Sequence, residues 1–352
     1  MMRRVVQKGL RQAGRLWIGA RPYGVILIYH RVACPSADPW NMVVSPENFA
    51  AHLEILKRFA VPKTMGNLAA ELSTAGAPKR SIAVTFDDGY VDNLSTALPL
   101  MEAHDVPGTV FVISGAIGKR DAFWWDLLVR VFLEMPQLPT CLMIEADGVR
   151  RRFDLEGVAV CSLEAIARNT SWNADLCAPQ DGRQRVLIEV WNHLLSLTID
   201  GRSEAVRQIR GWAGATVSYN ARDTPRPMDH TELARLSASR LIEIGGHTVS
   251  HPDLAQLSPD LACIEIARGR ADLMEWTGQS LDSFAYPYGR YSDQTVTHIR
   301  EAGFSYAAWS RQGLATSSSD TLTLPRLQVP NLNGEAFAAL LRDVLGPPHL
   351  TT

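Results

Sequence analysis

Short apolar runs of strand length alternate along the chain with amphipathic segments of helix length. The first apolar run is Val25–His30, and the first helical segment begins at Ser45, a residue type that caps helices, with Pro46 at the first helical position. A second run, Ser81–Phe86, leads directly into a pair of aspartates. Strands that alternate with helices in this way are typical of a parallel sheet with crossover helices.

The same alternation returns in the second half of the chain, so that about seven strand–helix units are expected in all. The later predicted strands are Gly108–Ile113, Leu241–Gly245, Ser283–Tyr286, Ser305–Trp309 and Leu324–Val329. Their number and spacing favour an α/β barrel over the alternative, an open doubly wound sheet. In such a barrel the chemistry lies at the C-terminal ends of the strands, where each polar cluster described below is found.

The stretch from residue 121 to 229 interrupts the alternation. It contains Trp124-Trp125 but few β-type runs beyond Cys141–Glu145. We interpret 121–229 as a largely helical insertion after the third strand, which divides the barrel into the parts 24–120 and 230–352. An insertion at that rim either shapes the substrate cleft or stabilises the domain without contacting substrate.

Charge divides the chain into a basic N-terminal segment and an acidic remainder. Seven of the 35 lysines and arginines precede Asp38, the first of 37 acids, and six of the seven lie within residues 1–21, although the net charge is only −2. The acidic remainder disfavours nucleic acid as a partner. Apolar residues recur in 1–20 at spacings of three and four, which predicts a basic amphipathic helix over 1–23. We expect this helix to lie peripherally on an anionic membrane surface; a helix packed on the domain or a frayed tail are the alternatives.

Targeting and redox signals favour a cytoplasmic protein. No apolar run approaches the roughly 20 residues of a membrane span, and the basic segment lacks the apolar core of a signal peptide. The five cysteines include no C-x-x-C pair, which disfavours a disulfide framework or a cysteine zinc site. We therefore expect a cytoplasmic location, with peripheral contact to the inner membrane face.

Two adjacent carboxylates, Asp87 and Asp88, end the run Ser81–Phe86 and are followed by a glycine. Neighbouring side chains alternate on a strand, so a turn at its end is needed for both carboxylates to face one cavity. Repulsion between two close carboxylates raises the pKa of one of them unless a cation relieves it. Such a pair can supply one metal ligand and one base; the alternative is a pair that caps a helix N-terminus.

Two histidines four residues apart, His247 and His251, follow the predicted strand Leu241–Gly245. The two glycines before them let the backbone bend out of the strand. Histidines at this spacing converge on one face of a helical turn or within a tight loop, and neutral imidazole is a good ligand for zinc and similar metals. With Asp88 they form a candidate metal site; the alternative for a lone histidine is a structural role.

Two further clusters also end predicted strands. In the sequence Tyr286–Gly289 a proline fixes φ, and the rigid bend can direct the Tyr288 backbone N–H toward a developing oxyanion. His30 ends the first strand and becomes a candidate general acid when it lies beside a metal. In isolation the first cluster is an ordinary turn and the second a structural histidine.

These clusters, in this order, resemble the motifs of the polysaccharide deacetylase family, also called the NodB-homology family of carbohydrate esterases. Thr85–Tyr90 is similar to its first motif, His247–His251 to its second, H-(S/T)-x-x-H, and Ala285–Gly289 to its third. The similarity spans about residues 24–115 and 229–330. It implies a distorted (β/α)7 barrel that uses a divalent metal, often zinc, to hydrolyse N-acetyl or O-acetyl groups on sugars.

The resemblance also implies roles for the residues that match the motifs. Asp87 becomes the catalytic base, the Tyr288 amide helps to bind the oxyanion, and the metal ligands are Asp88, His247 and His251. The implied activity is that of a metal-dependent N-deacetylase, a hydrolase that cleaves the C–N bond of an N-acylated amino sugar.

The chain departs from the family pattern in two places. The third motif often carries an arginine that pairs with the base; that arginine is absent here, and Arg326 is the candidate substitute. The usual C-terminal Leu-x-His, which supplies the general acid, is also missing. The stretch Ile28–Val32 resembles the branch that contains poly-N-acetylglucosamine deacetylases, which implies that His30 is the acid.

The expected location bears on the substrate. A protein without a signal peptide meets precursors inside the cell, such as a nucleotide sugar, a lipid-linked saccharide or a small oligosaccharide, and the basic segment 1–20 favours the lipid-linked class. The alternatives are a deformylase or O-deacetylase on the same scaffold, an iron(II) oxygenase held by two histidines and a carboxylate, and a non-catalytic carbohydrate-binding protein. An oxygenase has no evident use for Asp87 beside the ligands, and the intact residues argue against a binding module.

Overall fold

The structure is a computed structural model that describes residues 22–72, 74, 80–214 and 225–348. The predicted basic helix over 1–23 lies outside them except for its last two residues. The described chain divides into two units. The first comprises the residues up to Cys34, Val43–Arg120 and the residues from Pro227 onward, and the second comprises Pro35–Met42 and Asp121–Arg226. Nothing in the sequence pattern assigns residues 35–42 to the second unit.

The first unit is a barrel of parallel strands. In sheet order, which is also chain order, they are β1 (Tyr23–Tyr29), β2 (Arg80–Phe86), β3 (Gly108–Val112), β4 (Ile242–Gly246), β5 (Ser283–Ala285), β6 (Tyr306–Trp309) and β7 (Leu324–Pro325). A last strand, β8 (Leu327–Gln328), pairs in parallel with β1 and returns the sheet to its start. The predicted α/β barrel is confirmed, and the alternative of an open doubly wound sheet is wrong.

The barrel closes through a strand that is broken in the middle. The sequence pattern predicts one last strand over Leu324–Val329, but the structure divides it at Arg326. The Arg326 amide donates to the Arg311 carbonyl over 3.0 Å, and the strand pairs with β6 before this residue and with β1 after it. Two short segments extend the barrel sheet: Val61–Lys63 lies parallel to β2, and Ala315–Thr316 lies antiparallel to β1. A separate two-stranded sheet pairs Arg31–Val32 in parallel with Val43–Val44.

Helices connect the barrel strands. Their bounds are Pro46–Phe59, Met65–Leu72, Leu98–His104, His230–Ser237, Pro259–Thr277, Asp293–Glu301 and Gly334–Leu345, with a π-helical turn over Asn93–Ala97 and 3-10 turns over Ser114–Ala116 and Pro287–Gly289. The predicted cap is present, since the Ser45 hydroxyl accepts the Asn48 amide over 3.2 Å. Among the described residues, none of the helices combines the length and the apolar character needed to cross a membrane.

Alternate residues of the strands face opposite sides of the sheet, and each side has its own core. Val25 and Leu27 pack with the surrounding helices. The interior cluster instead contains the strand residues Ile26, Ala83, Phe111, Ala285, Ala308 and Leu324. Helix Met65–Leu72 belongs to this interior cluster, and its first amide donates to Thr109 near the start of β3 over 2.8 Å. That helix therefore closes the end of the barrel at which the strands begin, and the opposite end is left for the site.

A buried histidine ties the first barrel helix to β1 and to the C-terminal segment. His52 Nε2 lies 2.7 Å from the Leu332 carbonyl, which can only accept, so Nε2 carries the proton. His52 Nδ1 then accepts the Tyr29 hydroxyl over 3.2 Å, and the ring stacks on Phe337. Burial lowers the pKa of His52 to about 4. The folded protein therefore contains neutral His52 at neutral pH.

Because the pKa of His52 is lowered in the folded protein, we expect the protein to lose stability in mild acid. The unfolded chain protonates His52 near pH 6.5, whereas the folded protein does so only near pH 4, so protons favour the unfolded state in between. Relative to a His52→Gln variant, which keeps a donor and an acceptor but does not titrate, the parent should lose about 3 kcal/mol of unfolding free energy across this interval. Urea unfolding at several pH values measures the difference between the two proteins. A difference that does not change with pH contradicts the prediction.

The second unit is largely helical and has a hydrophobic core of its own. Its helices are Trp124–Val129, Leu163–Asn169, Gly182–Ser196 and Ile199–Ala213, with a π-helical turn over Arg130–Glu134. They accompany an antiparallel hairpin of Cys141–Ala146 and Val149–Asp154. Trp125 is buried and stacks on Phe123, while Trp124 packs against Trp191 at 4.6 Å between the rings. These tryptophans thus pack against other aromatic side chains of their own unit.

Candidate active site

The two aspartates lie at the C-terminal end of β2. Asp87 continues the strand pairing, since its amide donates to the Tyr29 carbonyl over 3.0 Å. Asp88 then adopts a left-handed conformation, with φ of 75°, and this turn takes the chain out of the strand. Both residues are buried. The turn is the local feature that lets two successive carboxylates serve one site.

Arg326 forms a two-pronged ion pair with Asp87. Its Nη1 and Nη2 atoms donate to separate carboxylate oxygens over 2.7 and 2.8 Å, and Nη1 also donates to the Thr85 hydroxyl. The guanidinium is fully buried over the ring of Phe111. Burial alone would raise the pKa of Asp87, but the charge and hydrogen bonds of Arg326 outweigh it and hold this pKa well below its usual value. Asp87 is therefore ionised at neutral pH.

Replacing Arg326 with methionine is expected to destabilise the protein by about 3–5 kcal/mol, because Asp87 remains buried without its cation. A double variant that also carries Asp87→Asn should recover part of this loss, since neither buried charge remains. Urea unfolding measures these differences, with the exposed Arg342→Met as a matched control. A loss no larger than that of the control would contradict the stabilising role of the ion pair.

Asp88, His247 and His251 converge at the same end of the barrel. The Nε2 atoms of the two histidines lie 3.6 and 3.7 Å from Oδ1 of Asp88, and potential ligand atoms of all three residues lie within 4.8 Å of one another. Bonds of about 2.1 Å in a tetrahedral zinc site separate the ligand atoms by about 3.4 Å, close to the two shorter distances. One carboxylate and two imidazoles therefore fit a divalent metal such as zinc.

Hydrogen bonding fixes the tautomer of His247. Its Nδ1 lies 2.7 Å from the Ala285 carbonyl, so Nδ1 carries the proton and Nε2 presents a lone pair toward Asp88. Burial alone would raise the pKa of Asp88, but His247, His251 and His30 hold it below its usual value. Repulsion between the two aspartates predicts a raised pKa for one of them. Both are lowered instead, because Arg326 stabilises the Asp87 carboxylate and the neighbouring imidazoles, when protonated, stabilise the Asp88 carboxylate.

The loop that carries the two histidines has an uncommon backbone. Thr248 and His251 are both left-handed, with φ of 64° and 56°, and the Thr248 hydroxyl accepts the His251 amide over 3.0 Å. Tyr288, also left-handed, packs its ring on His251 at 4.6 Å and donates its hydroxyl to the His251 carbonyl. The residue predicted to donate to the oxyanion therefore lies beside a predicted metal ligand.

His30 follows β1 directly and is half-buried. β1 is the parallel neighbour of β2, which carries the two aspartates, and a positive charge on the His30 ring lowers the pKa of both Asp87 and Asp88. The Asn93 side-chain amide donates to the His30 carbonyl over 2.8 Å. The structure thus brings every predicted site residue to one end of the barrel, although they follow four strands and the β7–β8 junction.

Sequence reasoning missed two supporting residues, Asn93 and Glu265. Asn93 lies in the π-helical turn after β2 and belongs to none of the recognised motifs. Glu265 is a buried acid among apolar neighbours of helix Pro259–Thr277, and that position in an apolar stripe is the one signal that could have found it.

The profile of the polysaccharide deacetylase family matches residues 74–138 and 210–307. Over these two segments the chain matches the polysaccharide deacetylase family. The matched segments contain Asp87 and Asp88 in the first part and His247 and His251 in the second. His30 and Arg326 lie outside both segments.

Individual relatives either match less of the chain than the family profile does or are distant in sequence. A Bacillus subtilis (strain 168) protein named as a polysaccharide deacetylase, YxkH, is 27% identical over 114 residues, which are 32% of this chain and 41% of that protein. IcaB from Ammonifex degensii has a similar structure, with a TM-score of 0.56 at 18% identity over 91% of this chain and 97% of IcaB. The Streptococcus pyogenes deacetylase PplD, solved in complex with acetate, gives a TM-score of 0.52 at 18% identity over 91% and 99%. These structures establish a shared fold.

Proposed function

We propose that this chain is a metal-dependent carbohydrate N-deacetylase, which removes an N-acetyl or similar acyl group from an amino sugar of a saccharide. The observation that carries the proposal is the ion-paired Asp87 directly beside the converging ligand atoms of Asp88, His247 and His251. This arrangement offers a base next to a set of metal ligands. A purely sugar-binding protein has no use for a buried carboxylate that an arginine keeps ionised.

Each residue of the site has a separate role in the proposed hydrolysis. Asp88, His247 and His251 would hold the metal, with zinc as first candidate, which supplies a polarised acyl carbonyl and a water of lowered pKa when bound. Asp87 accepts a proton from the water as the water oxygen attacks the acyl carbon. Arg326 makes Asp87 a weak base, and a weak base suits a water that is already acidic. The Tyr288 backbone N–H donates to the acyl oxygen as it gains negative charge.

His30 completes the reaction as general acid. It gives a proton to the amine nitrogen while the bond between that nitrogen and the acyl carbon breaks. The proton that Asp87 gained compensates for the one that His30 lost, so one water is consumed. The products are a free amino sugar and a carboxylic acid, which is acetic acid for an acetyl group.

The identity of the acyl group and the class of saccharide that bears it can be proposed more closely. PplD, which shares the fold, was solved with acetate, and acetate is the product expected of an N-acetyl substrate. Among N-acylated saccharides, the basic residues of segment 1–20 favour a lipid-linked one. That segment lies outside the described residues, so the test includes soluble substrates as well.

The proposed function is tested by acetate and formate release from N-acetylated and N-formylated nucleotide sugars, lipid-linked saccharides and chito-oligosaccharides. We expect metal-loaded protein to release acetate from at least one N-acetylated class, and a chelator to abolish that release. If the protein released formate but no acetate, the proposed activity would be deformylation and not deacetylation. No release by protein with bound metal would contradict the proposed enzyme and favour a binding role.

A further inference from the structure

The loop between the two histidines rests on helix Pro259–Thr277. Glu265 of this helix, which is only 7% exposed, accepts three hydrogen bonds from the loop. Its Oε2 atom accepts the amides of Val249 and Ser250 over 3.0 and 2.8 Å, and its Oε1 atom accepts the Ser250 hydroxyl over 2.8 Å. One carboxylate therefore binds the two residues that lie midway between His247 and His251.

This loop needs support because of its conformation. Thr248 and His251 occupy the left-handed region without being glycine, a state that persists only where surrounding contacts impose it. On the side of β3, the amides of Ser114 and Gly115 donate to the carbonyls of Thr248 and Val249 over 3.1 and 2.9 Å. Glu265 accepts hydrogen bonds from the loop amides, whereas Ser114 and Gly115 donate to the loop carbonyls. Both kinds of backbone group in the loop therefore have partners.

Two more residues on the same face of the helix contact this region. A Cβ atom at Gly269 would lie 3.0 Å from the Thr248 carbonyl carbon, so the helix approaches the loop closely only because glycine is present. Asp272 accepts the Ser114 hydroxyl over 3.0 Å. Positions 265, 269 and 272 lie one above another on a helix. A single helix face thus supports the histidine loop and the turn beside it.

We propose that Glu265 is a positioning residue for the metal centre, because its three hydrogen bonds fix the separation and direction of His247 and His251. The inference rests on the proposed function, in which both histidines are metal ligands. Glu265 contacts the loop between them and acts on the metal only through that loop. Groups that orient metal ligands in this indirect way commonly change metal affinity about 10–100-fold when removed.

Three variants separate this role from a general effect on the helix. Glu265→Ala removes all three hydrogen bonds. Glu265→Gln can keep them, because the amide oxygen accepts the two backbone amides and the NH2 group donates to the Ser250 hydroxyl oxygen. Glu275→Ala is the matched control, since Glu275 is an exposed glutamate of the same helix.

The readout is metal binding without substrate. Zn²⁺ affinity is measured by competition with a chromophoric chelator, and ligand geometry by the visible spectrum of the Co²⁺-loaded protein. We expect Glu265→Ala to bind Zn²⁺ about 10–100-fold more weakly than the parent and to change the Co²⁺ spectrum. Glu265→Gln and Glu275→Ala should stay within about threefold of the parent. Circular dichroism of the metal-free proteins checks that each variant is folded.

The outcomes distinguish this inference from the proposed function. A folded Glu265→Ala protein with the affinity and spectrum of the parent overturns the positioning role, while the metal site itself stands. A parent that binds neither ion contradicts the proposed metal chemistry and the inference together. If Glu265→Ala does not fold, Gly269→Ala takes its place, because the added Cβ pushes the helix away from Thr248. If Gly269→Ala binds Zn²⁺ as tightly as the parent, the positioning role is likewise overturned.

Discussion

Replacing Asp87 with asparagine should lower acetate release roughly 10²–10⁴-fold while the protein keeps its metal. Asparagine has the shape of aspartate, but its amide cannot take a proton from the attacking water. Asp88 and the two histidines are unchanged, so metal binding should persist. Turnover of the best substrate by parent and variant, measured at equal metal content, gives the size of the effect.

Asp92 offers a matched control for this variant. It is also a buried carboxylate paired with an arginine, since its Oδ2 atom lies 2.9 Å from Arg31 Nε. Asp92→Asn removes a carboxylate from a buried ion pair that does not include the proposed base, so it should lower stability more than turnover. If Asp87→Asn turned over substrate as fast as Asp92→Asn, Asp87 would not be the base.

Removing His247 should weaken zinc binding by at least about 100-fold, beyond the effect typical of residues that merely orient ligands. His247→Ala leaves Asp88 and His251 as two ligands, which is fewer than the three that catalytic zinc sites usually have. Calorimetric titration should give one zinc per chain for the parent and no measurable binding for the variant. Turnover should disappear along with the metal.

The control for this experiment is His298→Ala. His298 lies on helix Asp293–Glu301, where its Nδ1 atom is 3.4 Å from Glu301, and it has no part in the proposed site. Its removal should leave zinc affinity within about threefold of the parent. Zinc bound by His247→Ala as tightly as by His298→Ala would mean that the metal, if any, lies elsewhere.

The elements with strong local signals are the ones that the sequence predicts well. Helix Pro46–Phe59 begins where a serine cap and a following proline predict it. Helix Met65–Leu72 has only eight residues and its position inside the barrel is a tertiary property. The same reason explains why residues 35–42, a loop without a pattern of its own, could not be assigned to the second unit.

The site divides in the same way. Asp87, Asp88 and the two histidines could be proposed because each group directly follows an apolar run, and parallel strands end at one rim. Arg326 could be named only as a candidate, because its contact with Asp87 joins residues 239 positions apart. Asn93 and Glu265 bind backbone groups of the site, and which backbone they reach depends on packing between elements that the sequence pattern does not specify.

The break at Arg326 has a consequence for how the protein is made. The residue that completes the barrel wall is also the one that keeps the proposed base ionised, and it follows every other predicted site residue along the chain. Contacts between such distant positions form late, because a long loop must close first. A nascent chain on the ribosome that ends before Arg326 already carries Asp88, His247 and His251, yet its base lacks a counter-ion. Synthesis of β7 and β8 would therefore complete the proposed centre, since Asp87 gains its counter-ion only when these strands close the barrel.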